Sequence, residues 1–262
     1  MSTNRHKIIN YHKYKILSSH KRGFGLHSPF VYNLVTKIFR NKFNPEIVCK
    51  IEKIRVKMLT CKDTVEVKDY GTGRNVDGLR KISDIARKSS VPVKYGKLLA
   101  SLASEFGRKD IIELGTSLGI STLYLSFGSP SSIIHTAEGC PSLSALAEAN
   151  FMETGRSNIR QYNMKFDDFL LEMKKAKICP GLVFIDGDHR KESLLRYFDI
   201  ISEICDEKSL VVIDDIHISE EMYEAWEKIK QSGKVSITID IYRMGLVFFR
   251  RGIARYDYII RY

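Results

Sequence analysis

Cysteine is scarce in this sequence, and its few occurrences form no pattern. Cys49, Cys61, Cys140, Cys179 and Cys205 are scattered, odd in number and include no C-x-x-C pair. That spacing excludes a disulfide framework and a thiolate zinc site, and suits a reducing cytoplasm. Long apolar runs are absent too: nothing approaches the roughly 18 residues of a membrane span, so none is expected. Met1 to Lys15 is dotted with Lys, His and Tyr and lacks an apolar h-region, so it does not read as a secretory leader. Acidic residues are nearly missing from the first 57 positions, which hold 2 Asp/Glu against 13 Lys/Arg, whereas the rest balances 29 against 29. The whole net charge of +11 therefore belongs to the N-terminal segment. Such a segment could attract nucleic acid, anionic lipid or an acidic substrate. Its seven aromatics (Tyr11, Tyr14, Phe24, Phe30, Tyr32, Phe39, Phe43) could stack on bases, but at this spacing they more often pack a small core. A solvated basic surface on a helical appendage is the plainer reading.

What remains is ordinary for a globular protein: 44% hydrophobic and 28% charged residues in 262, enough for one α/β domain and an appendage. Residues 1–44 read as short helices broken at Gly23, Gly25 and Pro29, with Ser28-Pro29 as a helix start. Pro45 opens a helix with Ile47, Ile51, Ile54 and Met58 at helical spacing. A charged, alternating run, Val65 to Lys68, enters a glycine-rich stretch, Asp69-Tyr70-Gly71-Thr72-Gly73, and reads as a loop or edge element that could fold over a site. Helices are expected around Leu79 to Lys88 and Val93 to Phe106.

From Asp110 short apolar strands alternate with amphipathic helices. Strands are expected at Ile111–Leu114, Ile133–Ala137, Ile159–Tyr162, Leu182–Ile185 and Leu210–Ile213, with helices near 119–127, 142–154, 167–176, 191–205 and 219–232. Near-continuous apolar strands joined by helices argue a doubly wound, mostly parallel sheet with right-handed crossovers. Two β-rich runs, Val235–Tyr242 and Leu246–Phe249, are linked too tightly for a crossover and predict a C-terminal antiparallel hairpin, making seven strands. The expected division is a basic helical region, 1–90, and a Rossmann-like domain, 91–262.

Ligands of such sheets bind at the carboxyl ends of the strands. There, Glu113-Leu114-Gly115-Thr116-Ser117-Leu118-Gly119 is strand end, glycine turn and helix start. It departs from the G-x-G-x-x-G dinucleotide fingerprint. The carboxylate two places before the first glycine would repel a pyrophosphate and suits a ligand bearing an ammonium group. Glu138, ending the second strand, can accept both hydroxyls of a ribose. Over residues 110–250 this order of motifs resembles the class I S-adenosylmethionine-dependent methyltransferases. The resemblance implies S-adenosylmethionine as cofactor, with Glu113, Gly115, Thr116, Ser117 and Gly119 at its methionine end, Glu138 at the ribose, and Phe166 and Asp167 near the adenine.

Asp186-Gly187-Asp188-His189 closes the fourth strand and Asp214-Asp215-Ile216-His217 the fifth. Carboxylates converging beside a cofactor invite a hard divalent cation, which could hold a substrate hydroxyl and lower its pKa. The plainer reading is that these acids cap the following helices. The pair resembles the cation-dependent O-methyltransferases of the catechol and caffeoyl-coenzyme A type. That resemblance implies Asp186, Asp214 and Asp215 as ligands of Mg²⁺ or another divalent cation, Asp215 standing where Asn is usual. Their catalytic Lys is replaced by His189, which can act as general base, beside Asp186. His217 is a further ligand, a substrate contact or, more ordinarily, structural. The stretch Gly25-Leu26-His27-Ser28-Pro29-Phe30-Val31-Tyr32 resembles bacterial members of the same superfamily and brings no acceptor with it. The expected function is methyl transfer to an oxygen of a small molecule; a homodimer is compatible with it, and a nucleic-acid or ribosome-directed enzyme using the basic N-terminus is the alternative.

Overall fold

The computed structural model describes residues 2–18, 23–68 and 77–262. The N-terminal segment supplies α1 (Ser2–Leu17), the short α2 (Pro29–Asn33) running into a π-helical turn (Leu34–Ile38), and α3 (Pro45–Thr60). Ser28 and Asn44 cap α2 and α3 through their side chains, each just before a proline in the first turn. This is the start signal read at Ser28-Pro29 and Pro45. Next come β1 (Thr64–Val67), β2 (Gly78–Lys81), α4 (Ile82–Ser89) and α5 (Val93–Phe106). β1 and β2 pair antiparallel as a small separate sheet, Thr64 opposite Lys81 and Val67 opposite Gly78. The helix expected from Leu79 therefore starts only at Ile82, because Leu79 to Lys81 are taken up by this pairing. The glycine-rich stretch 69–73 lies outside the described residues.

The main sheet comprises β3 (Asp110–Leu114), β4 (Ile133–Ala137), β5 (Ile159–Tyr162), β6 (Leu182–Ile185), β7 (Leu210–Ile213), β8 (Ile237–Asp240), β9 (Gly245–Phe248) and β10 (Tyr256–Ile259). Its helices are α6 (Ile120–Gly128), α7 (Pro141–Glu153), α8 (Phe166–Lys175), α9 (Lys191–Ile204) and α10 (Glu220–Lys230). The spatial order is β10-β8-β9-β7-β6-β3-β4-β5. β3 to β7 are parallel, β9 runs antiparallel between β7 and β8, and β10 adds parallel to β8. The doubly wound class and the hairpin agree with the sequence, but the sheet has eight strands rather than seven. β10 escaped because its sequence, Tyr-Asp-Tyr-Ile, is polar and half-exposed at the sheet edge, unlike the apolar runs that mark buried strands.

Alternation along the strands feeds two cores. Ile111, Phe184, Val212, Leu246 and Phe248 face one way, against α5, α6 and the N-terminal Val31, Leu34, Val35, Ile51 and Ile54. Ile112, Leu114, Val183, Val211, Ile213 and Val247 face the other, against α8, α9 and α10. The N-terminal segment thus completes one helical layer of the sandwich. No helix among the described residues is long and apolar enough to cross a membrane.

Candidate active site

The carboxyl ends of β3, β4, β6 and β7 meet at one edge. Leu114 passes to Gly115 with φ +106°, and a side chain at Gly115 would meet the Asp186 carbonyl oxygen at 2.3 Å. Only glycine lets the ends of β3 and β6 lie this close. The Gly115 and Thr116 amides both donate to the Ala137 carbonyl, at 3.0 and 3.1 Å. Ser117, also left-handed at φ +46°, donates its amide to Glu138 Oε2 at 2.9 Å, and the Cys140 amide donates to Oε1 at 2.9 Å. Glu138 is therefore aimed by two backbone donors.

Around this turn opens a cleft of about 920 Å³, within the range of small-ligand sites. Gly115, Ser117, Glu138, Phe166, Asp167, Asp186 and His189 line it, and Val67, Leu79 and Ile85 from the β1–β2 sheet and α4 form its lip. The lip is tied to the turn by the Ser89 and Ser117 hydroxyls, 2.8 Å apart. Phe166 packs against Tyr197 and lies so near Gly187 that a side chain there would meet its ring at 2.6 Å. Asp167 is held bidentately by Arg196 at 2.7 and 3.0 Å.

Two members of the glycine motif stand behind the wall. Glu113 is fully buried and lines neither cavity; its Oε2 accepts from the Thr122 and Thr136 hydroxyls at 2.5 and 2.6 Å, while Oε1 has no hydrogen-bond partner among the described residues. Burial outweighs these hydrogen bonds and pushes its carboxyl up to about 7. Gly119, with φ +80° and a would-be Cβ 2.4 Å from the Phe151 ring, is needed where α6 packs on α7. Thr116 is buried, its hydroxyl hydrogen-bonded to Thr136 at 2.6 Å, at the floor of a second, smaller pocket.

That second pocket, about 250 Å³, continues from the cleft and is lined by Ser117, Asp186, His189, Asp215 and Arg243 among others. His189 is half-buried and makes no hydrogen bond among the described residues. Asp214 lies beneath, fully buried, both oxygens engaged by Arg243: Nε to Oδ1 at 3.0 Å and to Oδ2 at 3.1 Å, Nη2 to Oδ2 at 2.6 Å. Asp215 is 3.8 Å from the same guanidinium. Desolvation, reinforced by Asp214 and Asp215, holds the Asp186 carboxyl well above the usual range. Desolvation and Asp215 also raise Asp214, to about 6, against the pull of Arg243. The repulsion among the three acids is met in part by the Arg243 guanidinium, which faces Asp214 and Asp215. Arg243 was missed from sequence because its partner lies 29 residues away.

None of these acids caps a helix. α10 is capped by Ser219, and α9 has no side-chain cap. Asp188 instead binds Arg190, at 2.5 and 2.7 Å, and the Tyr197 hydroxyl at 3.0 Å. His217 lies away from both cavities: its Nε2 is 2.8 Å from Asp240, and its ring is stacked between Tyr223 and Tyr242. Among the described residues no three His, Cys, Asp or Glu side chains are grouped to hold a metal ion.

Residues 112–216 match a family model described as a methyltransferase domain. The matched stretch is less than half of the chain. It contains the whole turn, Glu138, His189 and both acidic strand ends. A catechol O-methyltransferase of Niastella koreensis is 30% identical over 130 residues, 48% of this chain and 58% of the relative. The chain thus spans little more than half of that relative's length. The structure of an O-methyltransferase from Bacillus cereus, in complex with S-adenosylhomocysteine, covers 90% of this chain and 99% of its own at TM-score 0.56 and 15% identity. That of the O-methyltransferase TomG from Streptomyces achromogenes, involved in tomaymycin synthesis and in complex with S-adenosylmethionine, covers 95% and 99% at TM-score 0.56 and 16% identity. At such identities the likeness is of fold.

Proposed function

We propose that the chain transfers the methyl group of S-adenosylmethionine to an oxygen of a small molecule. The observation that carries this reading is the cleft at the Gly115 turn, where the Ser117 and Cys140 amides hold the Glu138 carboxylate in the wall. The residues fit the cofactor. Glu138 would accept its ribose hydroxyls, the Phe166 ring would border its adenine, and the Gly115–Ser117 backbone would border its methionine end. When bound, the cofactor supplies a methyl group already activated on a sulfonium. Little covalent chemistry is then asked of the protein beyond alignment of nucleophile and methyl. His189, bordering both cavities with its ring nitrogens unengaged, takes the proton of the acceptor hydroxyl. Asp186 sits next to it as a hydrogen-bonding group of the acceptor pocket. The oxygen as acceptor is supported by the catechol O-methyltransferase named above.

The carboxylates as they stand do not fit a divalent cation, because Asp214 spends both oxygens on Arg243. Residues 1–90 act in this reading as packing and cover for the 91–262 domain: Phe30 meets Phe248 and Phe39 meets Tyr262 edge-on, which leaves those rings no face for bases.

Calorimetry with S-adenosylhomocysteine and, separately, NADH tests the proposal. The wild type should bind the former and ignore the latter. Glu138→Ala, which removes a charged acceptor for about 1.5–3 kcal/mol, should weaken binding about 10- to 100-fold. A protein that binds NADH and not S-adenosylhomocysteine would sink the reading.

A further inference from the structure

We infer that Arg243 is the fixed cation of the acceptor pocket, standing where a divalent ion would otherwise be held, and that methyl transfer here needs no metal. The inference rests on the methyltransferase reading above.

The C-terminal hairpin delivers this side chain. β9 pairs antiparallel with β7, Gly245 opposite Ile213, so the turn before β9 must lie beside the residues that follow β7. The Ile216 amide donates to the Arg243 carbonyl at 3.2 Å and fastens the two turns together. The guanidinium then forks onto Asp214, whose side chain has no exposure, with three contacts between 2.6 and 3.1 Å. The Tyr95 ring lies 5.8 Å from the guanidinium carbon. A divalent cation prefers several oxygen ligands with free lone pairs. Here it would have to share Asp214 with a cation that cannot lose its proton, and the two positive charges would repel. Asp215, in the place where the cation-dependent enzymes carry Asn, then adds a second negative neighbour for the guanidinium rather than a metal ligand.

The arrangement also points to an acceptor chemistry. Nη1 of Arg243 makes no hydrogen bond among the described residues, and Arg243 lines the same pocket as His189. Its two N–H groups suit an oxygen anion on the acceptor, a phenolate, enolate or carboxylate next to the hydroxyl that His189 deprotonates. Guanidinium donors hold such oxygens in a fixed plane. The acceptor is thus an oxygen-rich anion positioned by Arg243, with no metal bridging it.

Electron paramagnetic resonance of Mn²⁺, titrated to millimolar concentration against the full chain with and without S-adenosylhomocysteine, tests this directly. The wild type should leave the free Mn²⁺ signal undiminished, and chelator should not alter its calorimetric affinity for S-adenosylhomocysteine. Arg243→Ala, which frees both oxygens of Asp214, should gain one Mn²⁺ per chain. Arg243→Lys, which keeps a cation there, should gain none, and Arg243→Gln offers an uncharged variant of similar bulk should the alanine not fold. One Mn²⁺ bound per wild-type chain would overturn the inference, whether or not S-adenosylhomocysteine binds. A folded Arg243→Ala or Arg243→Gln that binds none would remove Arg243 as the occupant. Failure of S-adenosylhomocysteine to bind at all would instead strike the methyltransferase reading.

Discussion

A carboxyl group with no exposure to water, such as Glu113, makes folding depend on pH. Its folded value near 7 lies above the ordinary 4.5. The native state therefore holds a proton that the unfolded chain has lost between those values. Stability is full below about pH 4.5, declines as pH rises towards 7 and levels off above it. The difference amounts to about 3 kcal/mol. Glu113→Gln, which cannot ionise, should flatten that decline: urea unfolding at pH 5 and pH 8 should differ by about 2.5 kcal/mol less in the variant than in the wild type. An unchanged difference would mean that Glu113 is ionised when folded. The E-x-G spacing in sequence pointed to a ligand contact at this residue. The partners that draw it inward, Thr122 and Thr136, lie 9 and 23 residues further on, and local spacing carries no sign of them. Gly119 is similar. Its motif position was legible, but the Phe151 ring against it belongs to another helix. Gly119→Ala should lower stability by about 2 kcal/mol, from the left-handed backbone and the contact together, with thermal unfolding as the measurement.

At the scale of elements, the lip formed by β1, β2 and α4 stands out because it leaves Leu79 75% exposed while lining the cleft. An apolar side chain so exposed does little for folding and gains its burial when a ligand fills the cleft. Leu79→Ala should leave the melting temperature within a degree or so and weaken S-adenosylhomocysteine binding about tenfold, the order expected from losing part of one leucine's burial. A fall in melting temperature with unchanged affinity would assign Leu79 to the fold instead. The alternating run at Val65 to Lys68 was legible as an edge element, because charged residues on every second position cannot lie in a sheet buried on both faces. Its partner was not, since β2 is only four residues long, and two of these are exposed. Helix starts were readable where proline stands in the first turn, as at Ser28-Pro29 and Pro45, whereas the caps at Asn44 and Ser219 emerge only in the structure.

For the whole molecule, the parallel core was legible because its strands are apolar on both faces, and any sequence that buries both sides of a strand must show it. The site was legible as far as the chain order of strand ends, which fixes that Gly115, Glu138, Asp186 and Asp214 share one edge. The charge balance within it was not. Arg243 reaches Asp214 only because a hairpin doubles back beside β7, a consequence of tertiary pairing. The N-terminal segment's place was likewise hidden. Tyr14, 7% exposed, donates its hydroxyl to the Ile260 carbonyl at 2.7 Å and accepts from the Tyr262 amide at 3.1 Å. Tyr14→Phe would leave that amide and carbonyl without their partner, so it should cost about 1–3 kcal/mol in urea unfolding. A change within error would show that water replaces the hydroxyl.

The same contact orders events during synthesis. A chain leaves the ribosome N-terminus first, and domains fold as their parts emerge. Yet α1 takes its seat, through Tyr14, against Ile260 and Tyr262, which follow it by 246 and 248 positions. Until those residues have emerged, the helix lacks this seat. Nascent chains stalled with residues 233–262 still inside the exit tunnel should be cut by trypsin after Lys13 or Lys15, whereas released chains should resist there. Equal cleavage of both would mean that α1 is held by something other than Ile260 and Tyr262.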